Sequence, residues 1–282
     1  MPDWLTVRRG SAPLVVSLPH TGLDLPPEVT GLLSPWLARK DTDWFIDALY
    51  GFAPALGATV LRTAISRTVI DVNRDPSGAS LYPGQATTTL CPTTTFDGEP
   101  LYRAGSEPDA PEIRRRRVAY FDPYHAALAD EVRRLRESHP RVVVYDAHSI
   151  RSVVPRLFDG TLPECNIGTH GGASCDPALT AAVEAICDGA GRSRVVNGRF
   201  KGGSITRSFG RPAEGVHAIQ MELACRGYLA EPVGSVDPET WPPHYDVAFA
   251  ALMGATLRDV LGAALAFAAG RPLPVNRPGA AP

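Results

Sequence analysis

The sequence has few cysteines and no long hydrophobic run. Its five cysteines among 282 residues are odd in number and form no Cys-x-x-Cys pair. This pattern argues against a disulfide framework and is typical of a reducing compartment. No window approaches the roughly 18 uninterrupted apolar residues of a membrane span, and the N-terminus lacks the apolar core of a signal peptide. We therefore predict a cytoplasmic protein with no membrane span.

An excess of charge of one sign is also absent. The chain has 28 basic and 30 acidic residues, which gives a net charge of −2. Balanced charge predicts neither a nucleic-acid partner nor binding to a membrane surface. No Gly-x-Gly-x-x-Gly motif follows a predicted strand and no Walker loop is present, so nucleotide binding has little support. The sequence leaves the oligomeric state open.

What the sequence does contain is an alternation of two patterns. Apolar runs of strand length occur at residues 13–18, 58–62, 68–72, 141–146, 193–197 and 216–224. Helical spacing of apolar residues occurs at 43–56, 113–137, 176–191 and 245–268. Thr42 is a candidate N-cap for the first of these helices. Alternating strands and helices predict an α/β fold in which helices cover both faces of a sheet.

The length allows one large α/β domain or two smaller ones, and we expect a single domain over residues 1–270. Residues 75–112 are rich in Pro, Gly, Thr and Asp and lack periodicity. So long an irregular segment is typical of a functional loop over a site, with an insertion of no function as the alternative. The Pro- and Gly-rich segment 271–282 predicts a disordered tail.

Two of the apolar runs end on histidines. The stretch VVSLPHTG (15–22) carries His20, and VVVYDAHS (142–149) carries His148. Ligands of open α/β sheets bind at the carboxyl ends of the strands, and neutral imidazoles there coordinate zinc or another divalent ion. A catalytic zinc site needs a third protein ligand, for which Asp43 in KDTDWFID is well placed. Three other carboxylates compete with it: Asp41, Asp47 and Asp146.

Each of these residues also has an ordinary structural explanation. A single histidine at a strand end is more often a hydrogen-bonded polar residue than a ligand. Asp41 or Asp43 can stabilise a helix N-terminus through the helix dipole. Asp146, two residues before His148, can be the carboxylate that orients this imidazole rather than a ligand itself.

The run GVHAIQMELA (215–224) places a carboxylate inside an apolar strand. With a period of two, Ile219, Met221 and Leu223 face one way, while Gln220 and Glu222 face the other. A buried carboxylate is costly unless it is paired or functional. Beside a zinc ion, Glu222 would be the general base that accepts a proton from water, whereas a salt-bridged structural glutamate is the alternative.

Cationic residues follow two of the predicted strands. ISRTVIDVNRDP (65–76) carries Arg67, Asn73 and Arg74, and FKGGSITRSFG (200–210) carries Lys201 and Arg207. Arginine offers a fixed fork of donors that suits a carboxylate, and asparagine adds an amide donor. Singly these cations are typical of a solvated surface, but together they predict a pocket for a small anionic substrate.

Six ordered motifs resemble those of one family, the N-formylglutamate deformylases, also called N-formylglutamate amidohydrolases. They are SLPHTG, DTDWFID, SRTVIDVNRDP, YDAHS, FKGGSITR and HAIQMELA, and the resemblance covers about residues 12–230. It implies a three-layer fold similar to zinc carboxypeptidases, with a central mixed, mostly parallel sheet flanked by helices. It also implies a metal-dependent enzyme of bacterial histidine degradation that hydrolyses N-formyl-L-glutamate to L-glutamate and formate.

The resemblance further implies a role for each site residue. His20, His148 and Asp43 would be the metal ligands, with Asp41 still open as the carboxylate, and Glu222 would act as base and then as acid. One arginine, with Arg67 the candidate, would polarise the scissile carbonyl. The substrate-binding candidates are Asn73, Arg74, Lys201 and Arg207. The alternatives are hydrolysis of another N-acyl or N-formimidoyl acidic amino acid and a non-catalytic anion-binding domain.

Overall fold

The computed structural model describes residues 2–81 and 84–274. Seven strands form one sheet in the order β1-β3-β2-β4-β7-β5-β6. They are β1 Leu5–Arg8, β2 Leu14–Leu18, β3 Thr59–Thr63, β4 Val142–Ile150, β5 Cys165–Gly168, β6 Arg194–Val196 and β7 Val216–Ala224. The β1–β3 and β5–β7 pairs are antiparallel and the others are parallel, so the sheet is mixed and mostly parallel as predicted.

Helices lie on both faces of this sheet. They are α1 Ile46–Leu49, α2 Ala110–Arg116, α3 Asp122–Arg136, α4 Pro177–Gly189, α5 Ser204–Phe209 and α6 Val247–Ala268. One core cluster joins α4 and α6 to the sheet, and a second joins α3 to its opposite face. The predicted three-layer α/β architecture is therefore confirmed.

Strand alternation decides which side chains reach the α3 face. In β7, Ile219, Met221 and Leu223 pack in the α4–α6 cluster, so Gln220 and Glu222 point to the other side. In β4, Tyr145 and Ala147 also join the α4–α6 cluster, which leaves Asp146 and His148 on the α3 side. All of these residues are buried. The sheet thus presents these four polar residues together on one face, near the carboxyl ends of β4 and β7.

Two predicted elements differ from the structure. The predicted strand 68–72 is wrong: these residues form a buried turn, and they are apolar because Val69, Ile70 and Val72 pack in the α3-side core. The predicted helix 43–56 is mostly wrong as well. It is reduced to α1 and a 3-10 turn at Ala53–Leu56, and Thr42 is not its N-cap, because the chain turns at Phe45 with φ of 60°.

The structure also bears on the loop and the two ends of the chain. Among the described residues of 75–112, no helix or strand precedes α2 at Ala110. The predicted tail lies mainly outside the described residues, which end at 274. The helix α6 is apolar and long enough to cross a bilayer, yet ten of its residues are buried, as in a core helix. Its apolar composition is thus accounted for by packing against β4 and α4.

Candidate active site

Three segments bring the candidate ligands to one point. His20 follows β2, and His148 lies near the end of the adjacent parallel strand β4. Asp43 precedes α1, and its backbone N–H donates to the carbonyl oxygen of His20 at 3.0 Å, which fixes the two segments together. All three side chains are at least 96% buried. We call His20, Asp43 and His148 the ligand cluster.

The geometry of the ligand cluster suits a divalent metal ion. His20 Nδ1 lies 3.1 Å from His148 Nδ1, and Asp43 Oδ2 lies 3.2 Å from His148 Nδ1 and 3.5 Å from His20 Nδ1. Tetrahedral zinc with ligands at 2.0–2.1 Å requires ligand atoms about 3.3 Å apart. The three distances between the ligand atoms agree with that spacing. One ion would therefore fit all three atoms and leave its fourth coordination position open.

Two further carboxylates hold the imidazoles from behind. Asp71 Oδ1 lies 2.7 Å from His20 Nε2, and Asp146 Oδ2 lies 3.0 Å from His148 Nε2. Each carboxylate accepts the Nε2–H, which places the lone pair on Nδ1 and aims it into the ligand cluster. The sequence suggested Asp146 for this role but not Asp71. Asp71 was missed because it lies within the apolar run 68–72, which was predicted as a strand.

The ligand cluster is short of positive charge. The charged side chains in contact with it or with its two supporting carboxylates, within the described residues, are Asp43, Asp71, Asp146, Arg67 and Arg74. Burial raises the pKa of the Asp43 carboxyl, but the two histidines outweigh it and lower that pKa to about 2. Burial likewise lowers the pKa of His148, whereas Asp146 and Asp43 raise it well above its ordinary value. Both shifts are those of a site that binds positive charge, which a divalent cation would supply.

The competing carboxylates occupy other positions. Asp41 Oδ2 accepts the backbone N–H of Phe96 at 2.6 Å, and Asp41 Oδ1 lies 3.9 Å from Arg151 Nη2. Asp47 is half-exposed and pairs with Arg62 at 3.2 Å. With Asp146 on the far side of His148, Asp43 is the carboxylate that completes the ligand cluster.

Glu222 faces the ligand cluster from the neighbouring strand. It pairs with His148 in the β4–β7 register, and both line the same cavity. Gln220 donates from Nε2 to Glu222 Oε2 at 3.3 Å and accepts the N–H of Gly203 through Oε1 at 2.8 Å. Burial raises the pKa of the Glu222 carboxyl to about 7, with His148 opposing the shift. A carboxylate of this kind accepts and returns a proton near neutral pH.

Arg67 and Asn73 both lie beside the ligand cluster. Arg67 donates to Asp71 Oδ2 at 2.7 Å and to Asp43 Oδ1 at 3.4 Å, and its Cζ lies 4.9 Å from the Phe96 ring centroid. Asn73 Nδ2 donates to Asp146 Oδ2 at 3.1 Å and is in contact with His148 Nε2 at 2.9 Å, while Asn73 Oδ1 accepts the N–H of Ile205. Asn73 therefore supports the His148–Asp146 pair.

The remaining predicted cations are divided between the cavity and its surroundings. Arg74 lines the cavity and donates to Thr88 Oγ1 at 2.8 Å. Lys201 is exposed, and Arg207 donates to the carbonyl oxygens of Gly202 and Leu81; neither side chain lines the cavity.

The cavity contains one arginine that sequence reasoning missed, Arg199. Arg199 lies three residues after the end of β6 and just before the FKGGSITRSFG stretch, so the signal used for the other cations, a position soon after a predicted strand, could have found it.

Comparisons with known proteins identify several relatives. The family model for N-formylglutamate amidohydrolase matches residues 12–229. The N-formylglutamate deformylase of Pseudomonas aeruginosa is 46% identical over 269 residues, which cover 95% of this chain and 98% of that protein. The N-formylglutamate deformylase of Pseudomonas putida is 45% identical, with 95% and 97% covered. The crystal structure of an N-formylglutamate amidohydrolase from Ralstonia eutropha superposes with a TM-score of 0.77 at 24% identity, covering 94% of this chain and 98% of that one.

Proposed function

The chain belongs to the N-formylglutamate amidohydrolase family, and on that premise we propose that it hydrolyses N-formyl-L-glutamate to L-glutamate and formate. The observation that carries the proposal is the joint position of the ligand cluster and Glu222 on one cavity. Hydrolysis of an amide needs an activated water, a proton acceptor and stabilisation of an oxyanion. The residues of this cavity supply each of these.

We assign the metal-binding role to His20 Nδ1, His148 Nδ1 and Asp43 Oδ2. The support is the agreement of their spacings with tetrahedral zinc and the burial of all three side chains. When bound, zinc or another divalent ion supplies Lewis-acid chemistry and lowers the pKa of water towards about 7. Asp71 and Asp146 hold both imidazoles in the tautomer that such a site requires.

Glu222 is the proton carrier of the proposed mechanism. It accepts the proton of the attacking water and then donates it to the amine of the departing amino acid. Burial, which raises the pKa of its carboxyl to about 7, keeps both protonation states accessible at neutral pH. Gln220 holds one carboxylate oxygen, so the other is directed to the reacting water.

Arg67 and Arg74 act on the substrate. Arg67 is fixed by Asp43 and Asp71 at the metal side of the cavity, where it polarises the formyl carbonyl; a donor of this kind is typically worth about 3–4 kcal/mol in the transition state. Arg74 lies next, 3.4 Å from Asp71 through Nε, and binds the α-carboxylate of the substrate. Asn73 positions His148 rather than the substrate, whereas Lys201 and Arg207 remain predictions without support from the cavity.

We also place the enzyme in the cytoplasm, in bacterial histidine degradation. The support is the five buried cysteines, none of which is paired in a disulfide, and the bacterial sources of the two Pseudomonas relatives; histidine degradation is what the resemblance to the family implies.

An amine-release assay across N-acylated acidic amino acids tests the function. We expect N-formyl-L-glutamate to have a higher kcat/KM than N-formyl-L-aspartate, N-acetyl-L-glutamate and N-formimidoyl-L-glutamate. Chelator should abolish release, and added zinc should restore it. A higher kcat/KM for another of these compounds would reassign the substrate. Release from none of them would leave a non-catalytic anion-binding domain.

A further inference from the structure

The cavity has more cationic side chains than the chemistry of the amide bond requires. Within the described residues, the arginines that line it are Arg67, Arg74 and Arg199. Arg67 forms ion pairs with Asp43 and Asp71. Arg74 lies beside Asp71, which is hydrogen bonded to His20. Arg199 contacts other residues of the cavity lining, namely Leu157, Phe200 and Ala86.

Contacts on three sides fix the guanidinium group of Arg199. Its Nε donates to the carbonyl oxygen of Leu157 at 2.7 Å, and its Nη2 donates to that of Ala86 at 2.8 Å. Its Cζ lies 5.4 Å from the ring centroid of Phe200. A planar cation held by backbone carbonyls and an aromatic ring is pre-organised, so little rotamer entropy is lost when it binds an anion.

The spacing of Arg74 and Arg199 suits a dicarboxylate. Arg74 contacts Thr88 and Arg199 contacts Ala86, two positions whose Cα atoms are at most about 7 Å apart along the chain. The two carboxylate carbons of a glutamate are separated by about 5 Å in the extended conformation. Two guanidinium groups that both contact this short segment can therefore each bind one carboxylate of the same molecule.

The distance of each arginine from the ligand cluster indicates which carboxylate it binds. The α-carboxylate lies two bonds from the amide nitrogen, so it belongs beside the arginine closer to the ligand cluster. That arginine is Arg74, through its contact with Asp71. The carbon of the side-chain carboxylate is the third carbon beyond the α-carbon, so we assign this carboxylate to Arg199.

We propose that Arg199 is the residue that selects an acidic side chain, by binding the γ-carboxylate of the N-formyl amino acid; this inference rests on the proposed function. The substrate carboxylates bind in the cavity lined by Arg74 and Arg199, and Leu157 and Phe200 continue to hold the Arg199 guanidinium group. Specificity arises because a neutral side chain offers no carboxylate to the Arg199 charge.

The test compares N-formyl-L-glutamate with N-formyl-L-glutamine, which has the same shape but no side-chain charge. We expect Arg199→Met to lower kcat/KM for the glutamate compound about 100-fold and to change that for the glutamine compound less than about threefold. Arg74→Met should lower both by similar factors, because both substrates carry the α-carboxylate. Arg211→Met, at an exposed arginine paired with Glu214, is the matched control and should change neither.

An equal loss for both substrates in Arg199→Met would overturn the inference, because it would mean that Arg199 only supports the cavity wall through Leu157 and Ala86. Arg199→Lys keeps the charge and serves as the second variant; it should retain part of the preference for glutamate. Calorimetric binding of both compounds to chelator-treated wild-type protein separates this inference from the proposed function. Preferential binding of the glutamate compound without turnover would contradict only the function. Turnover of both compounds with equal kcat/KM would contradict only the role of Arg199.

Discussion

At the scale of single residues, Glu222 combines burial with a need to be ionised. It is 8% exposed, in a strand whose nine residues are all buried, and burial raises the pKa of its carboxyl to about 7. An ordinary core would exclude such a group or pair it with a cation. Here Gln220 offers a neutral amide, so the carboxylate is oriented without being neutralised.

Replacing Glu222 with glutamine separates proton transfer from metal binding. Glutamine keeps the shape of the side chain but cannot accept and return a proton. We expect Glu222→Gln to lower kcat by about 10²–10⁴ while metal content, measured by elemental analysis, stays that of the wild type. Glu214→Gln, on the surface, is the matched control. Unchanged turnover in Glu222→Gln would remove this residue from the mechanism.

The same carboxyl predicts how activity depends on pH. As the proposed general base, Glu222 must be deprotonated, and burial raises the pKa of its carboxyl to about 7. A bound divalent cation favours the carboxylate and moves this pKa downward. A profile of kcat/KM should therefore show an acid limb at or below pH 7, where activity falls tenfold per pH unit as pH decreases. Activity that rises as pH falls from 7 to 5 would contradict this assignment.

At the scale of elements, the turn after β3 contributes most to the site. Residues 64–74 form no strand, yet the turn supplies the carboxylate behind His20, the amide beside His148 and two arginines of the cavity. The N-terminus of α5 locks it in place, because the backbone N–H of Ser204 donates to the Asn73 carbonyl and that of Ile205 donates to Asn73 Oδ1.

Gly203 tests this junction between the turn and α5. A Cβ at Gly203 would lie 2.4–2.6 Å from the side-chain amide atoms of Asn73, which are fixed by hydrogen bonds and cannot yield easily. We expect Gly203→Ala to displace Asn73 and weaken metal affinity about 10–100-fold, measured by competition with a chromogenic chelator.

A second glycine supplies the control for this substitution. Gly262 lies inside α6 with nothing within 4 Å of an added Cβ. Gly262→Ala should therefore leave metal affinity unchanged and raise the free energy of unfolding by up to about 1 kcal/mol. Equal metal affinity in Gly203→Ala and Gly262→Ala would show that Asn73 does not support His148.

At the scale of the whole molecule, the described strands from β1 to β7 belong to one sheet, and α6 packs back on it. We propose on this basis that residues 1–270 form a single domain. The ligand cluster lies inside this domain and joins β2, β4 and the segment before α1. Binding of an ion there should therefore stabilise the global fold and not a single loop.

Thermal unfolding measures this coupling. On the proposed metal-binding role, zinc prefers the folded protein because the three ligands meet only there, so at a free concentration of about 1,000 times Kd it should add about 4 kcal/mol to the free energy of unfolding and raise Tm. Glu222→Gln should keep this increase, whereas Asp43→Asn, which removes the anionic ligand oxygen, should lose most of it. The same Tm for the wild type with chelator and with zinc would mean that the ligand cluster binds no ion.

Much of the fold could be predicted because its signals are local. The runs at 141–146 and 216–224 became β4 and β7, and the helix at 245–268 became α6, since periodicity and capping act over a few residues. Strands β1 and β5 were missed because polar residues interrupt both, as in LTVR and CNIG, so neither forms an apolar run. The turn at 68–72 was predicted as a strand because an apolar run reports burial and not backbone direction.

The sequence by itself determined which chemical groups end the central strands: imidazoles after β2 and near the end of β4, and a carboxylate on the polar side of β7. Strand alternation and the chemistry of each side chain are enough for that. Only the tertiary structure decided that Asp43 and not Asp41 completes the ligand cluster, that Asp71 supports His20, and that Arg199 enters the cavity. Two of these relations join residues more than 100 positions apart, His148 with Asp43 and Arg199 with Ala86, and their geometry depends on how the turns direct the chain.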